Sequence, residues 1–302
     1  MRYLHYDVFT DRPLEGNQLA VFPDGRGLST ETMQAIAREM SFSETTFVLP
    51  AERPDTDVRM RIFTPGAEMP MAGHPTIGST FALAHEAVIQ PGRRTFVFGL
   101  GVGPIEVGLE WGGDGRLAFA WMTQRRPAFG ATCDDAAGLA AALGLEAADL
   151  ATTAFPAQEV SCGVPFLLVP VARRRAVDAI TVDLRSLRTV LSKQGFDPDL
   201  PVFVFSTEPG PDGATAYSRM FAPGLGVYED PATGAASGPL GAYLVRHLIV
   251  EGPEAGRIVS AQGVKMGRPS RITIAVDGDA RDIQRVRIGG TAVLMGDGQL
   301  RL

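Results

Sequence analysis

Apolar and polar residues alternate with a period of two along several stretches of this chain, and each such stretch predicts a strand with one buried face. Val58, Met60 and Ile62 alternate with Arg59 and Arg61; Ile105, Val107 and Leu109 with Glu106, Gly108 and Glu110; Leu117, Phe119 and Trp121 with small residues. Gly113-Asp114-Gly115 predicts a hairpin turn between the last two. The opening Met1-Arg2-Tyr3-Leu4-His5 also reads as a strand, and others are expected at 165–171, 202–206, 216–221, 271–276 and 285–288. The helical period is rarer. Ser29 suits the N-cap of a helix over 30–40, in which Met33, Ile36, Ala37 and Met40 form an apolar stripe. Another helix near 184–194 carries Leu187, Val190 and Leu191, and one more is expected near 135–144.

Two further helices, 75–86 and 237–248, are small or apolar nearly all round, the mark of a helix buried inside a curled sheet. The order helix, strands, Gly-bearing turn, buried helix occurs twice. The chain therefore reads as α+β, with two related, pseudo-symmetric halves facing one another across a cleft. The pattern breaks in TQRRPAFG, where Pro127 and Gly130 interrupt it. The expected domains are 1–122 with about 289–302, and 123–288.

The two buried helices begin in similar ways. In GAEMPMAGHPTIGST, residues 66–80, Pro75 is placed to open a helix, because a missing N–H costs nothing in a first turn. Gly73 and His74 then lie at the N–H-presenting end, where a carboxylate is favoured. In YEDPATGAASGPLGAYLV, residues 228–245, Asp230-Pro231 makes a turn and Thr233-Gly234-Ala235 lead into the second helix. Two such ends form two half-sites for one small amino or carboxylic acid, and neither calls for a metal or a nucleotide.

Composition narrows the partners. The chain has 302 residues, 45% hydrophobic and 21% charged, with a net charge of −6. That balance suits an ordinary soluble protein of two domains and speaks against a nucleic-acid partner, which needs a basic face. Arg173-Arg174-Arg175 reads as a solvated loop or a helix start. The longest apolar run, Pro165 to Ala172, is too short to span a bilayer, and no signal-peptide core follows Met1, so a cytoplasmic protein without a membrane partner is expected. Cys133 and Cys162 lie in unlike contexts and read as two packed thiols, with neither a disulfide nor a thiol pair between them. His5, His74, His85 and His247 show no metal-ligand spacing. Gly99, Gly101 and Gly103 lie between strands, so they read as a turn rather than a dinucleotide fingerprint. No serine has a nucleophile-elbow context.

Glu44, in SFSETTFVLP, follows the helix 30–40 and opens a strand. On position alone it reads as a surface glutamate at a strand start; beside His74 and Asp230, each also at a helix–strand junction, it becomes a candidate base. An ordinary Glu has a pKa of about 4.3, and burial raises such a group toward the range useful for taking a proton from carbon.

GNQLAVF at 16–22, MQAIAREMSFSETTFV at 33–48, RIFTPGAEMPMAGHPTIGS at 61–79, DPATGAASGPLGAYL at 230–244 and the closing IGGTAVLMGDGQLRL together resemble the PhzF-like (phenazine biosynthesis) family, of the diaminopimelate-epimerase fold. The resemblance covers essentially the whole chain. It implies two domains, each a mixed sheet or barrel wrapped round a central helix, a homodimer, and a cofactor-independent isomerase that moves a proton on a small cyclic or unsaturated acid. It also implies that Glu44 shuttles the proton, that His74 and Asp230 hold polar groups of the substrate, and that the Gly73 and Gly234 N–H groups bind carboxylate oxygens. Asn17 and Thr233 join them as candidate substrate-binding residues. Two departures stand out. Ala235 occupies the position of a serine the family commonly has, with Ser237 two residues on, and GNQ replaces the commoner GNP. Relatives that racemise amino acids carry cysteines where this chain has Ala72 and Thr233. An epimerase or racemase therefore needs a different second base, and a small-acid-binding protein that has lost turnover is the remaining alternative.

Overall fold

The computed structural model describes residues 1–151 and 153–301; Leu302, the last residue of the closing segment, lies outside them. The chain divides into two compact units, residues 1–123 with the segment from Arg287 onward, and Gln124–Val286. Each is a mixed α+β structure. Seven helices are labelled in chain order: α1 Thr30–Met40, α2 Gly73–His85, α3 Ala136–Ala142, α4 Ala147–Ala151, α5 Arg174–Ala179, α6 Leu184–Lys193 and α7 Gly234–Arg246.

In the first unit, Arg2–Val8 pairs antiparallel with Asn17–Phe22, which pairs parallel with Glu44–Pro50. Glu44–Pro50 is antiparallel to Val58–Phe63, Val58–Phe63 parallel to Thr95–Leu100, and Thr95–Leu100 antiparallel to Gly103–Trp111. Leu117–Thr123 continues the sheet through the predicted hairpin, and Ala292–Gln299 lies on the other side of the first strand. The second unit repeats the sequence of pairings. Ala157–Ser161 is antiparallel to Pro165–Pro170, which is parallel to Val202–Ser206; then come Ala216–Ala222, antiparallel, Ile258–Gln262, parallel, and Ser270–Gly278, antiparallel. In each unit the long helix, α2 or α7, is inserted at the second parallel crossover, just after a short strand, Glu68–Met69 or Val227–Asp230. The internal repeat read from the order of elements is thus a repeat of topology.

Small side chains let the sheet close on these helices. α2 packs against Arg2–Val8, Asn17–Phe22, Glu44–Pro50, Leu117–Thr123 and Ala292–Gln299, and residues 73–83 are all buried. A Cβ at Gly78 would come within 2.6 Å of both Leu19 Cδ2 and Val8 Cγ2. The polar members of the helix turn back on the backbone: Thr76 Oγ1 donates to the Ala72 carbonyl at 2.7 Å and Thr80 Oγ1 to the Thr76 carbonyl at 2.8 Å. Outside the sheet, α1 buries Met33, Ile36 and Ala37 with the stacked pair Phe22–Phe47 and with Phe63. In the second unit Leu139 of α3 and Leu187, Val190 and Leu191 of α6 share a core with Leu167, Val202, Val204 and Phe221.

Several expectations shift. Both buried helices begin earlier than predicted, α2 at Gly73 and α7 at Gly234, so Pro75 is the third residue of its helix rather than the first. Small residues without a side-chain cap give no local start signal, and burial sets the start instead. Of the two readings of Arg173-Arg174-Arg175 the helix start holds: Arg174 opens α5, its guanidinium donates to Asp212 Oδ2 at 2.9 Å, and it lies over the Tyr217 ring. Gly99 falls inside the strand Thr95–Leu100, and Gly101 forms the tight turn before Gly103. Both cysteines are buried and unbridged. Among the described residues, no helix is long and apolar enough to cross a membrane.

Candidate active site

The first unit assembles its half-site from the starts of two strands and a helix. α1 ends at Met40, and the left-handed backbone of its C-cap Ser41 (φ 56°) turns the chain toward Ser43 and Glu44. Glu44 begins its strand beside Leu19, and Asn17 begins the neighbouring strand. The loop before α2 is held from two sides. Gln34 Nε2 of α1 donates to the Thr64 carbonyl at 2.8 Å. On the other side the 100–103 turn donates Val102 N–H to the Pro70 carbonyl, and Gly101 lies so close that a Cβ would be 2.9 Å from Pro70 Cα. The glycines set aside as a nucleotide motif therefore support the loop that delivers Gly73 and His74.

Within this frame four side chains form a line. Ser43 Oγ donates to Asn17 Oδ1 at 2.8 Å, Asn17 Nδ2 lies 3.2 Å from His74 Nδ1, and His74 Nε2 lies 3.4 Å from Glu44 Oε2. Ser43 orients the Asn17 amide, whose Nδ2 faces Nδ1 of the ring, while Nε2 faces Glu44. Asn17, 1% exposed, thus orients the imidazole through both ends of its amide. Ser43 is the member of this line to which the sequence assigned no role; its only signal was its place beside Glu44.

The ring is neutral. Burial pushes the His74 imidazole from 6.5 down to about 3, opposed only in part by a hydrogen bond to the Gln18 backbone. The facing Glu44 carboxylate also favours the charged form, but loss of hydration outweighs it. His74 is therefore protonated more readily in the unfolded chain than in the folded one. Its contribution to stability is complete above about pH 6.5 and is lost as pH falls toward 3, at about 1.4 kcal/mol per unit. Urea midpoints measured from pH 7 to 4 should fall more steeply for the wild type than for His74→Gln; parallel slopes would mean that the folded protein protonates this ring normally.

The second unit builds its half-site on the Asp230–Thr233 turn. Asp230 ends the strand Val227–Asp230 and is 6% exposed, and Thr233 is the N-cap residue of α7 and 8% exposed. Thr233 Oγ1 donates to Asp230 Oδ2. Gln262, fully buried at the end of the strand Ile258–Gln262, reaches across: its Nε2 donates to the Asp230 carbonyl at 2.7 Å and to Thr233 Oγ1 at 2.9 Å, and its Oε1 accepts from Thr233 N–H at 3.0 Å. A single Gln at a strand end carried no signal in the sequence. Ser237, weighed as a replacement for the missing serine, donates its hydroxyl to the Thr233 carbonyl at 2.9 Å inside the helix, while Ala235 occupies the first turn with only its methyl group.

α2 and α7 share a further property. α1 and α6, the other helices of ten residues or more, are capped by the side chains of Ser29 and Asp183. At α2 the cap residue is Ala72, and at α7 the Thr233 hydroxyl makes no cap bond. Both long buried helices therefore present uncapped first-turn N–H groups, suited to an anion. Each carries a glycine there, Gly73 and Gly234. Neither thiol is equipped for chemistry: burial raises both, Cys162 to about 12, and neither lies in either of these turns. Among the described residues no three His, Cys, Asp or Glu side chains gather as a metal site.

Comparison with known proteins bears on the family and on the fold. The phenazine biosynthesis-like protein family matches residues 6–298. A trans-2,3-dihydro-3-hydroxyanthranilate isomerase of Pseudomonas aeruginosa is 36% identical over 100% of this chain and 99% of its own. A Bacillus anthracis phenazine biosynthesis protein of the PhzF family superposes with a TM-score of 0.88 at 28% identity, covering 100% of this chain and 99% of the other. A hydroxyproline epimerase from Agrobacterium vitis shares the fold, with a TM-score of 0.66 at 14% identity over 99% of this chain and 90% of the other.

Proposed function

The chain belongs to the phenazine biosynthesis-like family and is an isomerase of the PhzF-like kind, and from that premise we propose that Glu44 moves a proton between two carbons of a small cyclic or unsaturated amino or carboxylic acid. The observation that carries the proposal is the half-buried Glu44 carboxylate, 3.4 Å from a neutral His74 and close to the uncapped start of α2.

The chemistry needs no electron acceptor. Glu44 takes a proton from an sp³ carbon next to a double bond. The electron pair left behind shifts into the conjugated system, and the same carboxyl group returns its proton to another carbon. One C–H bond breaks, another forms, and the double bond moves. His74 steadies the carboxylate and, with Asp230, holds polar groups of the substrate. The Gly73 and Gly234 N–H groups take the negative charge of its carboxylate, and Asn17 and Thr233 orient these groups. We further take the protein as a cytoplasmic homodimer acting on a free small molecule, without cofactor, nucleic acid or membrane partner.

Trans-2,3-dihydro-3-hydroxyanthranilate, the compound in the name of the P. aeruginosa relative, heads the substrates to try. Ala235 offers no hydroxyl at the start of α7, so recognition there rests on backbone N–H groups. That tolerance argues for a panel of unsaturated cyclic amino acids alongside it. In D2O the wild-type protein should isomerise at least one of them, with deuterium found at the carbon that receives the proton. A folded wild-type protein that neither isomerises nor exchanges any of the panel would refute the proposal.

A further inference from the structure

Thr233 is a good N-cap residue standing at an N-cap position, yet its hydroxyl caps nothing. Its hydrogen is given to Asp230 Oδ2, and Gln262 Nε2 donates to its oxygen at 2.9 Å. The Gln262 amide bonds the same turn twice more, at the Asp230 carbonyl and at Thr233 N–H. The backbone just beyond presses on it as well. Gly263 has φ 74°, and a Cβ there would lie 2.5 Å from the Pro231 carbonyl oxygen. The Ala236 and Ser237 N–H groups both reach the Thr233 carbonyl, so the first-turn N–H groups ahead of them, on Gly234 and Ala235, stay outside the helical ladder.

We propose that Gln262 is a positioning residue that aims the Asp230 carboxylate and keeps the α7 anion site open by preventing the Thr233 hydroxyl from capping the helix. The proposal rests on the reading that the turn 230–234 binds substrate. Without the Gln262 amide, the Thr233 hydroxyl loses one of the two partners that fix its rotamer and keeps only Asp230 Oδ2. It is then available to turn toward the α7 N–H groups, as Ser29 does at α1 by accepting from Thr32 N–H. That rotation would satisfy the helix end and fill the place of the substrate's carboxylate. Substrate binding should suffer more than the chemical step, because Glu44 is in the other unit and its environment is unchanged.

The test compares wild type with Gln262→Met, which keeps the length of the side chain and removes both amide functions, using trans-2,3-dihydro-3-hydroxyanthranilate as the probe. Folding is checked by circular dichroism. KM should rise about tenfold or more while kcat changes far less. Exchange of the Thr233 amide should accelerate by about tenfold or more, because its buried acceptor is gone. A role confined to stability would lower the amount of folded enzyme and leave KM where it was. A folded variant with wild-type KM overturns the proposal. If the wild type ignores the probe, KM is measured with a panel member that it does isomerise; if it isomerises none, the functional reading fails, and the positioning role is then decided by Thr233 amide exchange and by its rotamer in a crystal structure of the variant, where wild-type behaviour in both overturns it. Should Gln262→Met not fold, Gln262→Glu, of the same shape and still able to accept from Thr233 N–H, is measured in its place. It lacks the donor to the hydroxyl, so KM should again rise, and an unchanged KM again overturns the proposal.

Discussion

Glu44→Gln should lower turnover by about 10²–10⁴-fold or more while leaving substrate affinity close to that of the wild type. The substitution keeps the shape of the side chain, and an amide oxygen can still face His74 Nε2, 3.4 Å away in the wild type. What it removes is the basic oxygen. An amide cannot take a proton from carbon at neutral pH, whereas the line Ser43–Asn17–His74 that frames the site is untouched. Turnover measured at saturating substrate, with binding followed by calorimetry, separates the two effects. Near wild-type kcat in the variant would remove Glu44 from the chemistry. A loss confined to binding would make it a ligand contact and leave the proton carrier to be found elsewhere.

Gly78→Leu should prevent the first unit from folding, or destabilise it by about 3 kcal/mol or more. The first added carbon would lie 2.6 Å from side-chain carbons of Leu19 and Val8, on two paired strands of the sheet around α2. Leu adds three further carbons beyond it. The neighbours cannot swing aside, because Val8 and Leu19 are themselves fully buried. The same displacement would move the strand that starts at Asn17 and the helix that presents His74, so activity should be lost with the fold. Soluble expression and the urea midpoint measure the effect; a variant as stable as the wild type would mean that the sheet does not close tightly on this helix.

Much of this architecture was legible because local patterns carry it. The alternation at 58–62 and 105–109, the capped and striped helix 30–40, and the two stretches of small residues each record burial in residue type. At 117–121 the alternation marks a strand but points to the wrong face: Ala120 and Met122 are buried, while Leu117, Phe119 and Trp121 stay partly exposed. The strand Asn17–Phe22 is harder to read, since its apolar run from Leu19 to Phe22 is buried on both faces and has no period. Helix starts at Gly73 and Gly234 were placed late for a related reason. Their cap residues do not cap, and only a capped start announces itself in sequence.

Of the chemistry, the residue types and their contexts, Glu44 opening a strand, His74 following a glycine, Asp230 before a proline turn, were present in the one-dimensional chain, as was the repeat that places two buried helices in corresponding positions. Their partners came from tertiary structure alone. His74 is neutral because the sheet closes around it, Asn17 touches it from 57 residues away, and Gln262 reaches Thr233 across 29. Contacts at such separations are fixed by which strands pair, and strand pairing depends on register and burial over the whole unit rather than on any local pattern. Sequence therefore determined which groups are available and that two helix ends would present them. Folding decided which of those groups are held, which are neutral and which helix N–H groups remain uncapped, because each of these depends on the exclusion of water and on neighbours distant in the chain.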